Sequence, residues 1–191
     1  MALIILVFLA ALVVAWLAVT FNRLVSLRNR MRGAWADIDA LLKRRADLIP
    51  TLVSAVRGAM EYEQGTLTRV TDARANALSA GGAPDSTTGR SRAEDAVTSG
   101  LRQLFALVER YPELKTNQNI LDLQRQLSET ENDIASARRY YNAVVRDLNT
   151  LRETFPTVLV AGPFGFVPGE YFELAEIAER DAPAVNLEKN R

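Results

Sequence analysis

Hydrophobic and polar positions fall into three regimes along this chain. Residues 2–21 are uncharged and almost wholly apolar. From 24 to 155, outside a Gly/Ser/Thr-rich stretch at 79–92, apolar side chains recur every three or four positions. From 155 to 172, aromatic and aliphatic residues crowd among glycines and prolines with no helical order. At about 1.5 Å per residue, the first run is a helix of about 30 Å, enough to cross a hydrocarbon layer. Leu3, Phe8, Trp16 and Phe21 would be its lipid-facing bulk. A cleaved signal peptide competes, but it wants a basic residue before a shorter apolar core, and Ala18-Val19-Thr20 matches a cleavage site only loosely. An uncleaved anchor is the favoured reading.

The clearest periodicity is late. Positions 120, 123, 127, 130, 134, 137, 141, 144, 148, 151 and 155 step by three and four, occupied by Ile, Leu, Leu, Thr, Ile, Ala, Tyr, Val, Leu, Leu and Phe. This predicts a long helix from about 117 to 154 with a narrow apolar seam, ended by Phe155-Pro156. The same stepping through Leu24, Leu27, Met31, Ala34, Ile38, Leu41, Arg45 and Leu48 predicts that the membrane helix runs on as the first bundle helix. Asp47 followed by Pro50 favours a break there, with Asp47 as N-cap of a second helix carrying Leu52, Val56, Met60, Leu67 and Val70. One helix bent through Pro50 is the alternative.

Residues 79–92 read as a linker by composition, and a third helix is expected from about 93 to 110 on Val97, Leu101, Leu104, Phe105 and Val108. Strand signals are absent before the Pro/Gly-rich segment. The fold class is therefore all-α: an N-terminal transmembrane helix continuing into an antiparallel, up-and-down four-helix bundle. The divisions are an anchor at 1–21, a bundle at 22–155, and an apolar Pro/Gly-rich segment with an acidic tail at 156–191. Up-and-down topology returns the chain after Phe155 to the bilayer. Phe155, Phe164, Phe166, Tyr171 and Phe172 are then interface candidates, although closing the end of the chain's own bundle is the favoured role; membrane or neighbouring-subunit contact are the others.

Charge adds a direction. The 23 basic and 23 acidic residues cancel overall, but Arg23, Arg28, Arg30 and Arg32 follow the apolar run at once. The positive-inside rule puts the N-terminus out and the bulk of the chain in the cytoplasm, with these arginines on lipid headgroups. There is no cysteine, hence no disulfide framework, and no stacking platform for nucleic acid.

Several stretches together resemble the LemA family of bacterial membrane proteins. They are Asn22-x-Leu24-Val25-x-Leu27-Arg28, Ala34-Trp35-Ala36-Asp37-Ile38-Asp39, Leu42-Lys43-Arg44-Arg45-x-Asp47-Leu48-Ile49-Pro50, Tyr111-Pro112-x-Leu114-Lys115-x-Asn117, Thr130-Glu131-Asn132-x-Ile134-Ala135-x-Ala137-Arg138, Tyr141-Asn142 and Phe155-Pro156. The resemblance implies a short N-out segment, one span of the bacterial plasma membrane and a cytoplasmic helical bundle, without implying an activity. Its associations are with membrane organisation and protein quality control. Ala46 stands where relatives commonly carry histidine or tyrosine, so a role for that ring does not transfer.

An enzyme is not expected. The chain has neither histidine nor cysteine, which removes the commonest general base, the thiol nucleophile and the usual transition-metal ligands. No catalytic residue, cofactor or metal is assigned. Glu129 and Asp133 share a helix face, but two carboxylates fall short of a calcium site. The polar residues singled out are Arg44, Arg45, Asp47, Glu131, Asn132 and Arg138, either fixing helix register or binding a partner. With the ends at 49 and 117 level, position i of the first helix would face about 166 − i of the fourth. Arg45 would meet Asp122, and Glu131 would lie near Arg32. The function expected is a self-associating scaffold that organises membrane, a homo-oligomer. The alternative is an adaptor for a membrane protease or transporter.

Overall fold

The computed structural model describes residues 1–59, 61–81 and 87–172. Among these, all regular structure is helical: α1 (Ala2–Arg57), a 3-10 turn (Glu61–Glu63), α2 (Gln64–Ser79), α3 (Thr87–Val108), α4 (Pro112–Lys115), α5 (Gln118–Glu153) and α6 (Val158–Ala161). Four long helices, α1, α2, α3 and α5, run up and down as the hydrophobic pattern predicts. Glu173, Glu176 and Glu179 of the acidic tail, and Met60, lie outside the described residues.

The main departure is at Pro50. Instead of breaking there, α1 passes through it and reaches Arg57, 56 residues and about 84 Å in all. Proline lacks the N–H that would bond to the carbonyl four residues back, which orphans Ala46 O in a nearly buried position. Arg74 on α2 donates to that oxygen from Nε at 2.6 Å. Leu52, Val53 and Val56 continue the buried stripe from Ile49 beyond the proline. Asp47 is therefore a mid-helix, exposed residue and caps nothing.

The longer α1 also resets the register with α5. Arg45 pairs with Glu131 and Trp35 packs on Tyr141, so position i of α1 faces about 176 − i of α5. Neither the Arg45–Asp122 nor the Glu131–Arg32 pairing forms, because the level ends are near 58 and 117 rather than 49 and 117. Asn117 does cap α5, its Oδ1 accepting from Asn119 N at 3.0 Å and Ile120 N at 3.4 Å. The α5 seam is buried at Ile120, Leu123, Leu127, Thr130, Ile134, Tyr141, Val144 and Leu148.

α3 begins at Thr87, inside the stretch read as linker. Thr87, Arg90, Ser91 and Glu94 recur at helical spacing and are all buried, Thr87, Arg90 and Glu94 being satisfied by ion pairs and hydrogen bonds. α2 and α3 approach closely at Gly100, where a Cβ would lie 3.3 Å from Val70 Cγ2.

The core changes character along its length. At the end distal from the apolar run, all four helices enclose Leu52, Val56, Val70, Leu101, Leu104 and Leu127. The hairpin of α2 (16 residues) and α3 (22) is shorter than α5 (36), leaving the near half of the α1–α5 pair uncovered. Residues 158–172 cover it. Phe172 packs with Trp35, Ile38, Tyr141 and Val145, and Val160, Ala161 and Phe166 pack on Leu24 and Leu148.

Candidate functional site

Two assemblies of functional side chains emerge, one inside the bundle and one at its base. The internal one is a chain of alternating charge. Asp39 Oδ1 accepts from Arg90 Nη2 at 2.8 Å, Arg90 Nε donates to Glu94 Oε1 at 3.0 Å, Glu94 Oε2 accepts from Arg45 Nη2, and Arg45 Nη1 donates to Glu131 Oε1. Arg45 also donates to Thr98 Oγ1 at 2.8 Å. Arg45 is only 2% exposed, and Arg90 and Glu94 are buried with it. Three helices thus contribute: α1 through Asp39 and Arg45, α3 through Arg90, Glu94 and Thr98, α5 through Glu131. A buried charge is tolerated when it is paired and hydrogen-bonded. Arg45 satisfies that condition through four acceptors, counting Glu94 O at 3.3 Å.

Of the six polar residues picked out by sequence, the structure brings together two, Arg45 and Glu131. Arg44, Asp47 and Asn132 are on the exposed surface. Arg138 lies elsewhere, its guanidinium 4.7 Å from the centre of the Phe172 ring. Glu94, Arg90 and Asp39 were missed. Arg90 and Glu94 stand four apart, a spacing that pairs on one helix face, but a stretch rich in Gly, Ser and Thr concealed that they share a helix.

The second assembly is the strap 158–172. Asn149 clasps the Gly169 backbone, donating from Nδ2 to O at 3.0 Å and accepting from N at 2.8 Å. Asn142 treats Phe172 likewise, at 3.1 and 2.9 Å. Tyr141 Oη donates to Glu170 O at 2.9 Å, and Thr87 Oγ1 donates to Tyr171 O at 3.0 Å. Each side-chain amide thus supplies the donor and acceptor that a neighbouring strand would have supplied. Phe166 and Phe172, two of the interface candidates, are core residues of this chain; Phe155, Phe164 and Tyr171 remain exposed.

The strap's inner face begins at the end of the apolar run. Thr20 is buried, whereas every residue before it is exposed. Phe21 meets Phe164 and Phe166 edge-on, with ring centres 5.3 and 5.7 Å apart. Leu3, Phe8 and Trp16 are exposed along the same helix, whose most apolar window has mean hydropathy 3.1. Arg23, Arg30 and Arg32 are exposed just beyond, while Arg28 is half-buried with its guanidinium 5.0 Å from the centre of the Phe166 ring. Among the described residues, no group of three carboxylates converges in a way that could hold a metal ion.

Comparison with known proteins agrees with this architecture. The chain is 25% identical to Protein LemA of Metamycoplasma hominis over 166 residues, covering 87% of this chain and 74% of that protein. It is 24% identical over 182 residues to magnetosome proteins MamQ 1 and MamQ 2 of Paramagnetospirillum magneticum, covering 84% of this chain and 67% of each. The apolar N-terminal helix is consistent with a membrane anchor in such a protein. The LemA family model matches residues 34–187, a stretch that includes the charge network, both asparagine clasps and the whole strap, and the chain therefore belongs to the LemA family.

Proposed function

We propose that this protein is a non-enzymatic, self-associating scaffold that organises the membrane holding it. The observation that carries the reading is the continuity of α1, in which one unbroken helix is both the apolar run and the spine of the bundle. Every bundle is then held at an angle set by its own anchor, so copies lying side by side impose a common geometry on the bilayer between them. Kinship with two magnetosome proteins supports a role in building a cellular structure. The cluster Arg23, Arg28, Arg30 and Arg32 orients the anchor with its N-terminus out and the bundle in the bacterial cytoplasm.

The test is the particle mass of the full-length protein extracted in native lipid discs without crosslinker, followed by imaging. Large uniform rings or filaments are the expected result. Particles of one or two chains would overturn self-association and favour the adaptor. That second reading has its own support in a groove between α3 and α5, open to solvent and lined by Leu101, Phe105, Leu127 and Asn132, into which a partner's apolar side chains would fit.

A further inference from the structure

Residues 154–169 contain no charged side chain, between Glu153 and Glu170. Three of its apolar residues, Val160, Ala161 and Phe166, are accounted for by the core. Four larger groups are not: Phe155 is 75% exposed, Val167 71%, Leu159 65% and Phe164 60%. An uncharged segment presenting that many large apolar groups to water needs a covering.

Its position identifies the covering. Phe164 packs on Phe21, the last residue of the apolar run, and Thr20 beside it is the first buried residue of α1. If residues 2–21 span the hydrocarbon layer, Phe164 lies at its boundary, where an apolar ring can enter the upper acyl region. Beside the strap, a groove between α1 and α5 is lined by Arg23, Arg30 and Arg146 with a single acid, Asp147, a balance suited to lipid phosphates.

We propose that residues 154–169 form a second membrane contact, lying in the headgroup and upper acyl region of the same leaflet that α1 enters, with Phe155, Leu159, Phe164 and Val167 inserted. The occupant of this surface is lipid, because the patch is continuous with the spanning helix and bordered by cationic side chains. The strap is thus two-sided: Phe166 and Phe172 fasten it to the bundle, and the outward side chains fasten the bundle to the bilayer. The contact rests on the membrane anchor and not on self-association.

The absence of native cysteine makes the test direct. Full-length Leu159→Cys and Val167→Cys variants, each carrying a nitroxide, are reconstituted into vesicles of phosphatidylethanolamine and phosphatidylglycerol at no more than one chain per vesicle. Tyr62→Cys, at a residue 97% exposed beyond α1, is the water-facing reference. The expected result is frequent collision of the labels at 159 and 167 with dissolved oxygen, and loss of most collisions with a water-soluble nickel complex relative to position 62. Nickel access equal to that of position 62 would overturn the proposal. So would protection that develops only when several chains share a vesicle, which would assign the surface to a second copy. Because one chain suffices, failure of the scaffold reading leaves the expected result unchanged.

Discussion

Arg74 Nε donates a 2.6 Å hydrogen bond to the Ala46 carbonyl that Pro50 leaves without a helical partner. This bond relates two elements at once: it satisfies a defect in α1 and pins α2 beside it. Removing it with Arg74→Ala leaves a nearly buried acceptor unpaired and is expected to cost about 1–3 kcal/mol in chemical denaturation. In a Pro50→Ala background, where residue 50 regains its N–H, the same substitution should cost less. Equal costs in both backgrounds would show that Arg74 acts through something other than the proline defect.

Arg45 and Arg44 are neighbours with opposite expectations. Arg45→Met leaves Glu94 Oε2 unpaired while Arg90 keeps Oε1, and is expected to destabilise by about 3 kcal/mol, the low end for breaking a buried pair. Arg44→Glu changes an exposed side chain and should stay within about 0.5 kcal/mol. Glu131→Gln falls between them, since Glu131 is partly open to water and Arg45 keeps Glu94. Thermal unfolding in lipid discs ranks the three. A folded Arg44→Glu variant that had lost a binding partner would support the adaptor.

The asparagine clasps are testable without unfolding the bundle. Asn142→Ala and Asn149→Ala each remove two hydrogen bonds to the strap, and each should loosen it by about 1–2 kcal/mol. The readout is faster proteolysis within residues 156–172 at unchanged helical circular dichroism. Asn142→Asp should loosen it further, because a carboxylate replaces the donor facing Phe172 O.

Gly169 is a packing constraint rather than a turn requirement. A Cβ there would lie 2.7 Å from Met31 Sδ and 3.4 Å from Val145 Cγ1. Because the crowded atom belongs to a flexible, half-buried side chain, Gly169→Ala is expected to displace the Met31 thioether and loosen the strap by about 1 kcal/mol, the low end for overpacking. Met31→Ala in the same chain should recover part of that loss.

Helix class, topology and the α5 seam were legible because one residue in every three or four of α5 is apolar over five heptads, and nothing competes with that signal. Pro50 misled because its usual effect is local, whereas its remedy, Arg74, lies on another helix and has no signature in sequence. The resulting error moved the α1–α5 register and hid the Arg45–Glu131 pair. Arg90 and Glu94 were invisible for a related reason: their burial depends on Asp39 and Arg45 across the bundle, and their own neighbourhood is polar. The strap's role could have been inferred from length alone, since a 16-residue and a 22-residue helix cannot cover one of 36. Which of its aromatics point inward required Asn142 and Asn149 to be located opposite the backbone of Phe172 and Gly169.

The unbroken run of α1 leaves no swivel between the apolar segment and the bundle. About 54 Å of this helix extends past Phe21, so a tilt of about 10° in the apolar segment carries the far tip sideways by about 9 Å. Thicker or thinner bilayers change the tilt of a spanning helix. A change of tilt along Leu3 to Phe21 is therefore carried undiminished to Arg57.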